Sequence, residues 1–202
     1  MMKSIVKDAL ILFMITAVAG ILLAAVNEMT KKPIEEGKRA AVEAACKEVF
    51  PEAADFESRP LPAEDDAGYK DFATRFPKDS VDGIYDAKDA DGNTLGVVLN
   101  MTNKEGYGGN LKFSMGIASD GTVKGVSILE TSETPGLGLQ AADVLLPQFK
   151  DRKAESFVFV KGGGASAENE VDAISSATIT TRAFTNGVNA GLEFYRSVLN
   201  AE

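Results

Sequence analysis

GIYDAKDADGNTLGVVLNMT, residues 83–102, and LKFSMGIASDGTVKGVSILETSE, residues 111–133, are built alike. Each has an apolar, alternating run, an Asp-Gly pair and a second such run; the pairs are Asp91-Gly92 and Asp120-Gly121. Asp-Gly adopts the left-handed backbone of a tight hairpin turn, so each stretch predicts two antiparallel strands. Val97, Leu99 and Met101 alternate onto one face, as do Val126, Ile128 and Glu130. GYGG, residues 106–109, is a glycine-rich connection between the hairpins. The expectation is a curved antiparallel sheet, with no repeat beyond the two hairpins.

Helical spacing lies downstream. GLGLQAADVLLPQF predicts a short helix from about Gly138 to Leu146, and SFVFV at 156–160 predicts a strand. KGGGASAENE, residues 161–170, reads as a flexible loop. Ile179, Ala183, Phe184, Val188, Leu192, Tyr195 and Leu199 then recur at helical intervals. Strands followed by helices predict an α+β fold with helices packed on one face of the sheet.

Upstream, TKKPIEEGKRAAVEAACKEVF at 30–50 predicts a polar-faced helix that ends at Pro51. ESRPLPAEDDAGYKDFATRFPKDS at 57–80, with its prolines and acidic run, reads as loop and short irregular structure. From Ala9 to Val26 there is no charged side chain. Roughly 18 helical residues reach about 27 Å, close to the hydrocarbon thickness of a bilayer. Lys3 and Lys7 flank one end and Lys31 and Lys32 the other, so the charges do not set an orientation. A cleaved signal peptide ending at Ala17-Val18-Ala19 is one alternative and a buried core helix another. An uncleaved membrane anchor is the preferred reading. The expected division is 1–28 anchor, 29–80 helical and irregular connection, and 81–202 compact domain.

Composition excludes several classes. The net charge is −9, from 30 acidic and 21 basic residues, which disfavours nucleic acid. Histidine is absent, which removes a Ser-His-Asp hydrolase, the usual haem ligand and most zinc sites. The single cysteine, Cys46, lies in a helical stretch and reads as a buried inert thiol. Hard chemistry here requires a bound cofactor.

DAISSATITTRA, residues 172–183, crowds Ser175, Ser176, Thr178, Thr180 and Thr181 at a helix start. A helix N-terminus presents free amides and a positive dipole end, which suits a phosphate. It equally suits a plain Ser/Thr cap. There is no nucleotide P-loop and no dinucleotide fingerprint.

DAISSATIT resembles the flavinylation motif of the FMN-binding domain family, Asp-x-x-Ser/Thr-Gly/Ser-Ala-Thr-x-Ser/Thr. Asp172, Ser175, Ser176, Ala177, Thr178 and Thr180 fill it in order, with Ser176 where glycine is common. GYGGNLKFSMGIASDGTVKGVSILETSETPGLG, residues 106–138, resembles the same family's middle block. With the N-terminal anchor, the resemblance extends to the branch found as the G subunit of Rnf-type ion-translocating complexes. The C subunit of sodium-pumping NADH:quinone reductase is the near relative.

The resemblance implies an N-terminal transmembrane helix followed by an FMN-binding domain. It implies FMN joined by a phosphoester to Thr178, with Ser175, Ser176, Ala177 and Thr180 around the phosphate. Glu133, Thr134, Pro135, Gly136 and Leu137 would form a wall for the ring, with amides near Gly136 and Leu137 at its pyrimidine edge. Tyr107 is an aromatic candidate or a packing residue. Attachment is implied to need a flavin transferase using FAD and a divalent metal, with Asp172 among its recognition elements. The protein would relay electrons in a ferredoxin:NAD oxidoreductase that exports sodium ions or protons, with no catalytic acid or base and no metal of its own. It would sit in the cell (inner) membrane as a single pass, in contact with lipid and other subunits, its soluble domain extracytoplasmic. A component of the sodium-pumping reductase, a sensory flavoprotein and a non-redox anchored binding or scaffold module stand as alternatives.

Overall fold

The computed structural model describes residues 2–200, with side chains from Ile5 onward; the side chain of Lys3 and residues 201–202 lie outside the described residues. The chain forms two compact units, residues 1–41 and 42–202.

The first unit is most of helix α1, Met2–Val49. The anchor and the polar stretch expected after it are one continuous helix, with Pro33 inside. Large apolar side chains from Ile5 to Val26, Phe13 and Leu23 among them, are exposed. Thr16, the one hydroxyl between Ala9 and Val26, donates to the Leu12 and Phe13 carbonyls at 3.0 and 2.9 Å. A polar side chain bonded within its own helix is compatible with hydrocarbon. Among the described residues this is the one helix long and apolar enough to cross a membrane.

The second unit is built on a five-stranded antiparallel meander of β1 (Asp55–Arg59), β2 (Asp79–Lys88), β3 (Thr94–Asn103), β4 (Leu111–Ala118) and β5 (Val123–Glu130), in sequence order. Both expected hairpins are present, with Gly92 and Gly121 at φ 84° and 87°. Four register shifts, two in β2/β3 and two in β4/β5, bend the sheet. Val97, Leu99 and Met101 join the main core, while Val98 joins a second core with Cys46, Val49 and Phe50. The second face of the sheet is therefore covered in part by residues 42–50, where helices on one face alone were expected. Cys46 is buried, and burial followed by the charge of Glu43 pushes its thiol to about 11, which keeps it inert.

Helix α3, Thr178–Phe194, lies on the first face and buries Phe184, Val188, Leu192 and Phe194. Gly187 and Gly191 face the sheet. A Cβ at Gly187 would come within 2.8 Å of the Phe113 ring, and one at Gly191 within 2.2 Å of the Met115 sulfur. The glycines bring helix and sheet closer than any larger residue allows.

The stretch expected to be irregular holds β1 and helix α2, Ala67–Arg75. Asp66 caps α2 by accepting from the Tyr69 amide at 2.9 Å, and the Phe72 ring meets Phe194 edge-on at 5.1 Å. Arg59 pairs with Asp86 at 2.6 Å and holds β1 on β2. Pro60, Pro62 and Pro77 all fall outside these elements; the cap and the spacing of Tyr69, Phe72 and Phe76 were the missed signal. The helix expected over 138–146 is three short turns, Gly138–Gln140, Ala141–Leu145 and Leu146–Phe149. β6, Val158–Val160, pairs in parallel with an unexpected β7, Glu170–Asp172. The loop between them, expected to be flexible, is tied down. Asp172 Oδ1 accepts from Gly164 and Ala165 amides at 2.8 and 2.9 Å, and Arg152 donates to the carbonyls of Ala167, Glu168 and Glu170.

Asp79 opens β2 and accepts from the Asn103 side chain at 2.7 Å. Burial raises its carboxyl from 3.8 to about 6, against the Asn103 hydrogen bond and with the charge of Glu105. The folded protein thus holds this proton more tightly than the unfolded chain does. The stability it contributes is complete below about pH 4 and lost as pH rises through about 6. Denaturation of the detergent-solubilised chain checks this: Asp79→Asn is expected to be more stable than wild type at pH 7, with the difference vanishing at pH 4. Parallel pH profiles for the two proteins would contradict it.

Candidate functional site

Three segments far apart in sequence meet at one cavity of about 500 Å³. The first follows β5. Thr134-Pro135-Gly136-Leu137 forms a turn in which the Leu137 amide donates to the Thr134 carbonyl at 3.1 Å. Proline second and glycine third, with Gly136 at φ 76°, are the residues such a turn demands. From this segment Glu133, Thr134, Leu137 and Gly138 line the cavity. The second segment is the connection between the hairpins, which contributes Tyr107. The third is the start of α3, which contributes residues 176–180.

The α3 start answers the question raised by the hydroxyl cluster. Its N-cap is Ala177, and no side chain caps it. Thr181 works from inside, accepting from the Ile174 amide at 3.1 Å and donating to the Ala177 carbonyl at 3.0 Å. Thr180 donates to Glu133 Oε2 at 2.8 Å. Among the described residues, the hydroxyls of Ser175, Ser176 and Thr178 take no hydrogen-bond partner. The first-turn amides, which have no partner inside any α-helix, therefore open outward beside uncommitted hydroxyls. That arrangement suits an anion.

The rim is apolar. Tyr107 is 70% exposed, Ile179 42% and Leu137 40%, an unusual grouping of large side chains at one opening. A planar aromatic ligand matches such walls. The cavity brings together Glu133, Thr134, Leu137, Ser176, Ala177, Thr178 and Thr180 of the expected residues. Gly136 shapes the turn, and exposed Ser175 and Pro135 stand outside the lining. The Leu137 amide, expected at the ring edge, is committed to its own turn. Asp172 holds the loop before β7. Gly138 and Ile179 were not foreseen as site residues. Ile179 was read as part of the buried stripe of α3, and only its exposure separates it from Ala183 and Phe184.

Ser176 adopts φ 62°, one of two non-glycine residues in the left-handed region among those described. This accounts for glycine at the corresponding motif position, since an L side chain there costs about 1–2 kcal/mol. Ser176→Gly is expected to gain up to about 1 kcal/mol, since relief of the backbone is partly offset by glycine's greater chain entropy, while Ser176→Val is expected to be less stable than wild type, because a branched Cβ is disfavoured further. Thermal denaturation distinguishes the two, and equal losses would contradict the backbone explanation.

The chain matches two families: the RnfG N-terminal region over residues 1–49 and the FMN-binding domain over residues 106–193. It is 36% identical over 198 residues to the G subunit of the Na(+)-translocating ferredoxin:NAD(+) oxidoreductase complex of Acetobacterium woodii, covering 97% of this chain and 94% of that protein. It is 32% identical over 194 residues to the G subunit of the ion-translocating oxidoreductase complex of Methanosarcina acetivorans, covering 95% of each. Among solved structures, NqrC of Shewanella oneidensis superposes with a TM-score of 0.57 at 22% identity, over 85% of this chain and 98% of that one, a likeness of fold. With one apolar helix among the described residues long enough to span a membrane, an antiparallel sheet under α3 and similarity to these proteins over 95% or more of its length, the chain belongs to the RnfG family, the G subunits of ion-translocating oxidoreductase complexes, and carries its FMN-binding domain.

Proposed function

We propose that this chain is an electron-transfer subunit of a membrane-bound, Rnf-type ferredoxin:NAD oxidoreductase complex, carrying FMN joined by a phosphoester to Thr178. One observation carries the reading: the Thr178 hydroxyl, without a competing partner, stands at an uncapped helix start on a cavity with apolar walls. Bound FMN supplies one- and two-electron redox chemistry. In the attachment, the Thr178 oxygen bonds to the FMN phosphorus of FAD. The bond from that phosphorus to the AMP oxygen breaks, and the hydroxyl proton leaves with AMP. A separate flavin transferase with a divalent metal performs this step.

The remaining roles belong to the chain's own residues. The α3 start stabilises the negative charge of the phosphodiester, an effect of about 0.3–1 kcal/mol at exposed sites. Ser176 and the first-turn amides offer donors to its oxygens, and Ser175 is exposed beside them. Tyr107, Leu137 and Ile179 supply the apolar surface for the ring. Thr180 and Glu133 hold the two walls together. Electron relay needs no acid or base from the protein, in keeping with a chain that has no histidine.

The soluble domain is assigned to the extracytoplasmic side of the cell (inner) membrane, where a covalent tether prevents loss of the flavin by dilution. Lipid and other subunits of the complex would contact the membrane helix. Between Ala9 and Val26 that helix offers no ionisable group, so the translocated ion passes through other subunits.

Intact mass of the protein purified from its own membrane, beside Thr178→Ala, tests the proposal. The expected result is a gain equal to FMN less one water in wild type and none in the variant. An unmodified wild-type mass, with the transferase present, favours a non-redox binding or scaffold role instead.

A further inference from the structure

Glu133 is 4% exposed, and its carboxylate stands where the three segments of the cavity converge. Oε1 accepts from the Gly108 amide at 3.2 Å, and Oε2 accepts from the Thr180 hydroxyl at 2.8 Å. Both oxygens act as acceptors, as an ionised carboxylate does. A Cβ at Gly138 would stand 2.4 Å from Oε2 and one at Gly106 3.0 Å from Oε1, so the backbone on two sides is closed onto this group. Among the described residues Glu133 makes no ion pair, although ion pairs occur elsewhere on the unit. A buried charge normally has a partner of opposite sign. Here two neutral donors and the positive end of α3, on whose first turn Thr180 lies, stand in that place.

A fixed negative charge inside a cavity acts on whatever charge enters it, and it acts more strongly away from bulk water. We propose that Glu133 is an electrostatic control residue that holds the reduction potential of the bound flavin low. This rests on the reading that FMN occupies the cavity. An electron accepted by the flavin adds one negative charge unless a proton accompanies it. The Glu133 carboxylate raises the free energy of that reduced form relative to the oxidised one. The donor must therefore be more strongly reducing than the same site without the charge would require. Glu133 takes up neither electron nor proton in this scheme, and its hydrogen bonds to Gly108 and Thr180 fix its place.

Spectroelectrochemical titration of the flavin-loaded full-length chain, with redox mediators as the source of electrons, tests the proposal. Glu133→Gln keeps the size and an acceptor oxygen but removes the charge. At wild-type flavin content, its midpoint is expected to move to a more positive potential. An equal or more negative midpoint overturns the proposal. Should Glu133→Gln not retain flavin, Glu133→Asp draws the charge back by one methylene, and a smaller positive shift is expected; a midpoint equal to wild type again overturns it. Flavin content of the wild-type protein, read first by absorbance, separates the two claims. Wild type without flavin, made with the transferase present, removes both, whereas flavin present with an insensitive potential removes only the role of Glu133.

Discussion

The cavity depends on one carboxylate. Glu133 accepts from Gly108 in the connection between the hairpins and from Thr180 in the first turn of α3, and it belongs to the segment that follows β5. These three segments are separated by 25 and 47 residues. Each hydrogen bond is modest by itself, about 1 kcal/mol net for a neutral pair and more for a charged acceptor. Removing the acceptor would leave a buried hydroxyl and an amide unpaired, which is the larger penalty. Glycine at 138 follows from the same contact, because a Cβ there would stand 2.4 Å from the carboxylate; at Gly106 the nearest obstacle is the Gly109 carbonyl oxygen at 2.3 Å, with the carboxylate behind it at 3.0 Å.

The sheet makes that meeting possible. A meander of hairpins brings the end of β5 beside the end of β3, because β4 lies between and pairs with both. Gly187 and Gly191 let α3 settle onto β4 at Phe113 and Met115. The first turn of α3 then lies at the level of the post-β5 turn. The buried face of α3 and the open face at its start differ in what they touch: Phe184 and Val188 are core, while Ile179 and Thr178 face the cavity.

Much of the fold was legible. The Asp-Gly hairpins, the α3 stripe and the apolar N-terminal helix are local patterns, read from periodicity and turn chemistry within a single stretch. The hydroxyl cluster and its likeness to a flavinylation motif were also visible, but which of its hydroxyls are engaged by the fold was not. Five Ser or Thr residues at a helix start predict a cap, and the cap is Ala177. Backbone strain at Ser176 and the inward commitment of Thr180 and Thr181 leave Thr178 uncommitted. Helix α2 and strand β7 were missed because each is short and supported by tertiary contacts: Phe72 against Phe194, and Glu170–Asp172 against Val158–Val160.

The sequence by itself determined the elements whose signals are local. These are the membrane helix, from an uninterrupted apolar run, and the hairpins, from Asp-Gly between alternating runs. The tertiary structure decided which groups are free to bind and which are already engaged. The Leu137 amide and the Asp172 carboxylate are held by their own neighbours, and Ile179 leaves the core for the rim. The reason is physical. A side chain or amide has a fixed set of hydrogen-bonding positions, and whether they are taken depends on partners brought close by folding, which no local pattern of residues records.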